Sequence, residues 1–367
     1  MPHLSLKRVS TPGQTGLLSL SFDVRDGECL ALFGRGKSGV LPALTAIAGL
    51  TPISEGEILL DGRRIDRLPP ARRRVGMIFH DFALYPHMSV RENLLFALRA
   101  RKLAPDLVKS RFERVFAILP LEPIEDRKPH ALTPLEQACT ALARVLMEEP
   151  DIILIQRLSG LRAEEKAQFF RLLAGARGIF RSPIVYAAET AREVFFAADR
   201  VAFLSARRLV QIGKPEEIYF RPIDSNVARA FTGCEPVFLE ASIQARIEDG
   251  EPRYAVILSP AYTLPIAPGV ETKLIDGQRV SLCLRPEHVR LAFSPDGSCG
   301  VMRGELVDVR RELPDSLVTV ALESGARLRL RCSLREGMAL TRENPVYFTI
   351  DSSLLLIFDA QTGDALY

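Results

Sequence analysis

Between about residues 18 and 222 the chain alternates short apolar runs with helical patterns, and this alternation narrows the possible folds more than any other feature. "CLALFG" leads into "ALTAIAGL", "DIILIQ" into "RAEEKAQFFRLLAGA" and "PIVYAAE" into "AREVFFAADR", while "RVGMIFH" and "RVAFLS" add two more runs. A run that is apolar at every position suits a strand buried on both faces, and the amphipathic segments between runs supply the helices that cover it. The expectation is an α/β fold with a largely parallel sheet. After Gly233 the texture changes to alternating strands and turns, as in "RYAVIL", "RVSLCLRP", "SLVTVALESGARLRLRC" and "NPVYFTIDSSLLLIFDAQTG". Such short strands predict a small β-barrel or sandwich. A boundary is expected between 225 and 240, giving domains 1–232 and 233–367.

Composition excludes several classes of function. A chain of 367 residues has room for two or three domains with real cores. Its 48 basic and 45 acidic residues leave a net charge of +3, which is no footprint for nucleic acid. The six cysteines (Cys29, Cys139, Cys234, Cys283, Cys299, Cys332) form no CxxC pair, so no metal site is expected. With no signal-peptide pattern at the start, they point to a reducing cytosol. No apolar run approaches the roughly 20 residues that cross a bilayer, so any membrane role is expected to come through a partner.

Several blocks together resemble the ATP-binding subunits of bacterial ABC importers, in particular the maltose-type subfamily that carries carbohydrates, polyols and glycerol phosphate. They are "RRVGMIFHDFALYPHMSVRENLLFAL", "RKPHALTPLEQACTALARVLMEEPDIILI", "ADRVAFLSARRLVQIGKPEEIYFRP", "LRPEHV" and "FDAQTG". The resemblance implies a RecA-like core with a helical subdomain at about 86–150, followed by an OB-like (TOBE-type) regulatory domain. It also implies that two subunits sandwich ATP head to tail, each site combining one chain's P-loop with the other's "LSGGQ". Closure would then drive two membrane permeases at the cytoplasmic face of the inner membrane, fed by a periplasmic or lipoprotein solute-binding protein.

The nucleotide motifs depart from that pattern. A P-loop reads GxxxxGK[ST], with glycine amides around the phosphates, a lysine on the β and γ oxygens and a hydroxyl on magnesium. Counting back from "AIAGL" as the resemblance implies puts Gly34 and Gly39 at the glycines, Val40 at the lysine, and Leu41 and Pro42 at the hydroxyls. The rival register uses Lys37 and Ser38 but drives Pro42 into a helix interior, at a cost of ~3 kcal/mol. The adenine-stacking aromatic would fall near Thr11, the magnesium-sensing glutamine is His80, the metal-binding aspartate is Gln156 and the catalytic glutamate is Arg157. A guanidinium cannot act as a general base. The switch histidine corresponds to Glu189, which is expected to pair with Arg157 across an empty site.

The signature is Leu132-Thr133-Pro134-Leu135-Glu136, a damaged donor to a partner's γ-phosphate, whereas the permease-docking stretch keeps Tyr85, Pro86, His87 and Met88. The leading expectation is a catalytically degenerate cassette paired with a competent ABC ATPase subunit, with ATP and magnesium at the partner's site and little or no nucleotide in its own. One alternative is an active ATPase with displaced ligands, Lys37 and Glu189. Another is a permease-free regulatory protein acting through its C-terminal domain around Arg285–His288.

Overall fold

The computed structural model describes residues 3–99, 103–233, 235–248, 251–259, 262–266, 274–292, 301–323 and 325–366. The chain divides into two compact units, Met1–Pro215 and Glu216–Tyr367.

The first unit contains β1 (Leu4–Ser10), β2 (Leu20–Val24), β3 (Cys29–Phe33), α1 (Val40–Ala48), β4 (Glu55–Leu60), β5 (Arg63–Arg64) and β6 (Val75–Ile78). A helical segment follows, made of α2 (Val90–Arg99), α3 (Pro105–Phe116) and α4 (Pro134–Met147), within the stretch 86–150. Then come β7 (Ile152–Ile155), α5 (Ala163–Phe180), β8 (Ile184–Ala187), α6 (Ala191–Ala197), β9 (Arg200–Ser205) and β10 (Arg208–Gly213). Six strands form one sheet in the order β10-β9-β3-β8-β7-β6, parallel except for the β10–β9 hairpin. Every side chain of β3, β7 and β8 is buried, as the unbroken apolar runs require of strands covered on both faces.

A second, antiparallel sheet has the order β2-β1-β4-β5. Its Leu4, Leu6, Leu20 and Val24 share one core with Leu44 and Ile47 of α1 and with Leu30, Leu32 and Leu154 of the parallel sheet. The C-terminal end of α1 is fixed by Arg73, which is 5 % exposed. Its guanidinium donates to the carbonyls of Ala46 (2.7 Å), Ile47 (3.0 Å), Leu68 (2.9 Å) and Asp66 (2.8 Å). Gly49 caps the helix at φ 81°, and a Cβ there would lie 2.6 Å from Arg73 Nε. Only glycine allows the left-handed cap and the guanidinium together.

The second unit carries α7 (Pro215–Phe220, beginning at the division itself), α8 (Ser225–Ala230) and a run of strands. These are β11 (Val237–Glu248), β12 (Glu251–Ser259), β13 (Tyr262–Pro265), β14 (Arg279–Leu284), β15 (Val289–Ala292), β16 (Val301–Glu312), β17 (Asp315–Ala321), β18 (Arg327–Ser333), β19 (Val346–Ile350) and β20 (Leu356–Asp359), with α9 (Leu334–Ala339) between β18 and β19. Two five-stranded sheets result, β13-β12-β11-β14-β20 and β15-β19-β16-β17-β18, an all-β arrangement of the OB-like kind around one apolar core.

The division precedes the 232/233 boundary expected from sequence, and packing explains the difference. Tyr219 O accepts from Arg285 Nη1 (2.8 Å), Ser225 N–H donates to Gly363 O (2.9 Å), and Ala228 packs with Cys283, Leu356 and Phe358. Helices that continue the α/β pattern in sequence thus bury their apolar sides on the β unit. Cys29, Cys139, Cys283 and Cys332 are free and buried, whereas Cys234 and Cys299 lie outside the described residues. No group of His, Cys, Asp or Glu among the described residues could hold a metal ion. Among those residues, too, no helix is long and apolar enough to cross a membrane.

Candidate functional site

The loop from β3 into α1 spans residues 34–39, and the helix starts at Val40 with Gly39 as its left-handed N-cap (φ 100°, ψ 1°). Pro42 therefore sits in the first turn, where the missing N–H has no intrahelical partner to lose. Lys37 and Ser38 stand in the loop ahead of the helix, not in its first turn. Gly34 is held to glycine by contact, since a Cβ would lie 2.6 Å from Ser38 Cβ and 2.3 Å from Leu204 O.

Above this loop lies a cavity of about 690 Å³. Thr11 to Gly16 form one wall, Gly36 to Pro42 with Thr45 the floor, and His80, Gln156, Arg157 and Ser159 the far side. Among the described residues no Phe, Tyr or Trp lines it, and Thr11 Oγ1 instead accepts the Leu17 N–H at 2.7 Å to close its own loop. No Asp or Glu lines it either, among the described residues. Gln156, 9 % exposed at the end of β7, accepts from the His80 backbone N–H at 3.2 Å and lies 3.2 Å from its Nδ1. Arg157 is exposed and lines the cavity. Magnesium requires hard, largely anionic oxygen ligands in near-octahedral array. An amide oxygen already engaged by His80, beside a guanidinium and without any carboxylate, does not fit that ion.

The expected Arg157–Glu189 ion pair does not form. Glu189 is bound instead by Lys166 of α5 and by the Ser159 hydroxyl, which donates to it. Lys166 also pairs with Glu193 (2.8 Å), whose second oxygen accepts the Glu189 backbone N–H at 3.0 Å. Lys166 comes from a packed helix and reaches two carboxylates at once. Arg157 points its charge at the cavity and acts on Glu189 only at longer range.

Burial works to raise the pKa of the Glu189 carboxyl, but hydrogen bonds from Lys166 and Ser159 outweigh it and hold the group below its ordinary value. Burial likewise opposes the charge on Lys166, and the two glutamates overcome it and raise its pKa. The Glu189 contribution to stability is thus fully present above the ordinary glutamate value of about 4.3 and fades as pH falls through the depressed folded value. The Lys166 contribution is complete below about 10.4 and fades as pH rises past it. Lys166→Met should therefore lower unfolding free energy by about 3 kcal/mol between roughly pH 5 and 10, with the gap narrowing outside that window. Denaturant melts across pH check this, and an unchanged midpoint at pH 7 would remove Lys166 as the group that compensates the two carboxylates.

At the start of α4, Thr133 is the N-cap and Pro134 the first helical residue. Thr133 Oγ1 accepts the Glu136 N–H (3.3 Å), while Glu136 Oε2 accepts the Thr133 N–H (2.7 Å) in a capping box. Leu132 is buried and Leu135 half-buried, and a carboxylate is held over this helix N-terminus. The 85–88 turn is fastened by Asn93, fully buried, which binds Tyr85 through both backbone groups and also reaches the Met88 and Ser89 carbonyls. Tyr85 packs on Phe96 with ring centroids 4.5 Å apart and on the Arg144 guanidinium, leaving Pro86 and His87 exposed and Met88 half-buried.

Sequence reading named Ser38 only beside Lys37 in the rival register, and it missed Lys166, Ser159 and Asn93. Asn93 carried a signal, because an amide on the helix stripe shared with Val90 and Leu94 needs buried partners. Lys166 and Ser159 had none short of the tertiary contacts.

A parallel sheet whose first central strand runs through a glycine loop into a helix, an antiparallel sheet sharing its core, an inserted helical segment and an OB-like unit together define an ATP-binding-cassette subunit. The family model described as ABC transporter matches residues 17–156, and the maltose/maltodextrin import ATP-binding protein MalK of Escherichia coli is 31% identical over 272 residues, 74% of this chain and 72% of MalK. The chain belongs to the ATP-binding subunit family of ABC transporters, with MalK and PotG among its relatives. The putrescine transport ATP-binding protein PotG of E. coli is 30% identical over 332 residues, 88% of this chain and 85% of PotG. The uncharacterized ABC transporter ATP-binding protein YurJ of Bacillus subtilis is 29% identical over 375 residues, the full length of both. The structure of cbiO1 from Clostridium perfringens, part of the cbiONQ complex, shares the fold at TM-score 0.55 and 22% identity over 59% of this chain and 90% of its own.

Proposed function

We propose that this chain is a non-hydrolytic cassette subunit of an importer for a small polar solute, of the sugar, polyol or glycerol-like kind. It pairs with a second, competent ATP-binding subunit beneath two permease subunits. The observation that carries this reading is a nucleotide-type cavity with no carboxylate in its lining, where Gln156 and Arg157 end the strand that supplies metal ligand and base in such enzymes. Val40 replaces the phosphate-binding lysine, and Glu189 is committed to Lys166, which argues against the displaced-ligand reading. The family relationship supports attachment to the inner membrane through permeases, with the 85–88 turn as the docking element. MalK is named for maltose and maltodextrin import and PotG for putrescine transport, which supports uptake of a small solute without choosing one.

In this assembly ATP and magnesium occupy the site built on the partner's own P-loop. The present chain lends that site Thr133 and the N-terminus of α4, with the Thr133 hydroxyl proton still free to point outward. Glu136 lies over the same helix end and makes it a weaker anion donor than serine and glycine amides would be. The test is native purification from solubilised membranes with a tag on this chain. One complex should hold this chain, a different cassette subunit with complete motifs, and permease. A complex holding two copies of this chain and no other cassette subunit would overturn the pairing.

A further inference from the structure

Loss of the carboxylates leaves the cavity with a charge pattern of its own. Lys37 and Arg157 both line it, both are exposed, and neither makes an ion pair with a described residue. Ser38 lies beneath them, 2 % exposed and lining the same space, and its buried Oγ has no hydrogen-bond partner. An unsatisfied buried hydroxyl is unfavourable unless a ligand completes it. The N-terminus of α1 opens onto the cavity as well, through Val40 and Leu41. Two cations, an orphaned hydroxyl and a helix N-terminus, with no carboxylate among the described lining residues, form a site for a multiply charged anion.

We propose that this cavity binds a polyphosphate chain without a metal ion, through Lys37, Arg157 and the Ser38 hydroxyl. In a metal-dependent site magnesium neutralises phosphate charge against acidic residues. Here a guanidinium and an ammonium supply the neutralisation directly, so the bare polyanion is the complement and its magnesium complex, having lost charge, is the poorer ligand. With no Phe, Tyr or Trp among the described lining residues to stack on a base, recognition falls on the phosphates, so a nucleoside triphosphate and free tripolyphosphate should bind alike. The proposal rests on the non-hydrolytic reading of the same site and gives it a use. Occupancy by an unhydrolysed polyanion would keep this half of the assembly filled while the partner's site turns over.

The test is calorimetric titration of the full chain with inorganic tripolyphosphate, and separately with ATP, in EDTA and then in excess magnesium. Saturable one-site binding is expected in EDTA, with the two affinities within about threefold and both weaker when magnesium is added. Lys37→Ala and Arg157→Ala should each weaken binding by about tenfold, the loss expected of one charge-assisted contact. Arg157→Lys should recover part of it. Both side chains are exposed, and an unchanged melting curve shows that each variant is folded. No heat in EDTA, a requirement for magnesium, or affinities untouched by both alanine variants would overturn the site. Binding of ATP but not tripolyphosphate would overturn recognition through phosphate. Turnover of ATP in these titrations would instead sink the non-hydrolytic reading, which keeps the two failures apart.

Discussion

The isolated chain, given ATP and magnesium, should release phosphate no faster than buffer controls. Phosphoryl transfer depends on positioning and on neutralising charge at the γ-phosphate, and no carboxylate among the described residues lines the cavity to hold metal or orient water. A general base alone contributes about a hundred- to ten-thousandfold, and on the non-hydrolytic reading proposed above the missing lysine and metal compound it. Val40→Lys should leave the rate at background, because Gln156 stays engaged by His80 and Arg157 remains a cation. Within the reconstituted assembly, replacing the partner's catalytic glutamate should abolish both ATP hydrolysis and transport. Steady phosphate release by this chain alone, lost on Glu189→Gln or Lys37→Ala, would mean that these side chains form a working site after all.

Arg73→Met should be the most damaging single substitution considered for the first unit. The guanidinium is buried and bonds four backbone carbonyls, two of them at the C-terminal end of α1, where the helix dipole favours a cation. Burial pulls its pKa down from the usual arginine value, with Asp66 partly offsetting this. Removing it leaves carbonyls unsatisfied at the C-terminal end of α1, at a cost of about 3–5 kcal/mol. For a unit of this size that is a fall of roughly 10 °C in melting temperature, measurable by calorimetry. Lysine cannot reproduce the fork, so Arg73→Lys should recover little. A midpoint within about 2 °C of the unaltered chain would show that the C-terminus of α1 is held by Gly49 and packing alone.

How far the fold could be read from the sequence depended on the range of the interactions involved. β3, β7 and β8 were legible because a strand covered on both faces must be apolar throughout, and "CLALF", "IILI" and "IVYA" satisfy that locally. The place of Pro42 near the start of α1 was legible too, since a ring without an N–H suits the first turn of a helix and not its interior. The domain boundary was less so, because α7 and α8 look like further α/β elements until their buried sides are known to face the β unit. Glu189 shows the limit most clearly. Sequence placed it at a strand end near Arg157, but ion pairing is decided by which cation arrives within a few ångströms, and that was Lys166, from a helix in between.

The sequence by itself determined the α/β-then-β order and the position of the glycine loop ahead of a helix, because periodicity, turn chemistry and residue identity are properties of the chain. Only the tertiary structure decided that Lys37, Ser38 and Arg157 share one cavity without a carboxylate among the described residues, and that Glu189 is tied off outside it. Burial, orphaned hydroxyls and the sign of a cavity's charge come from surfaces brought together from distant parts of the chain, and no local pattern carries that information.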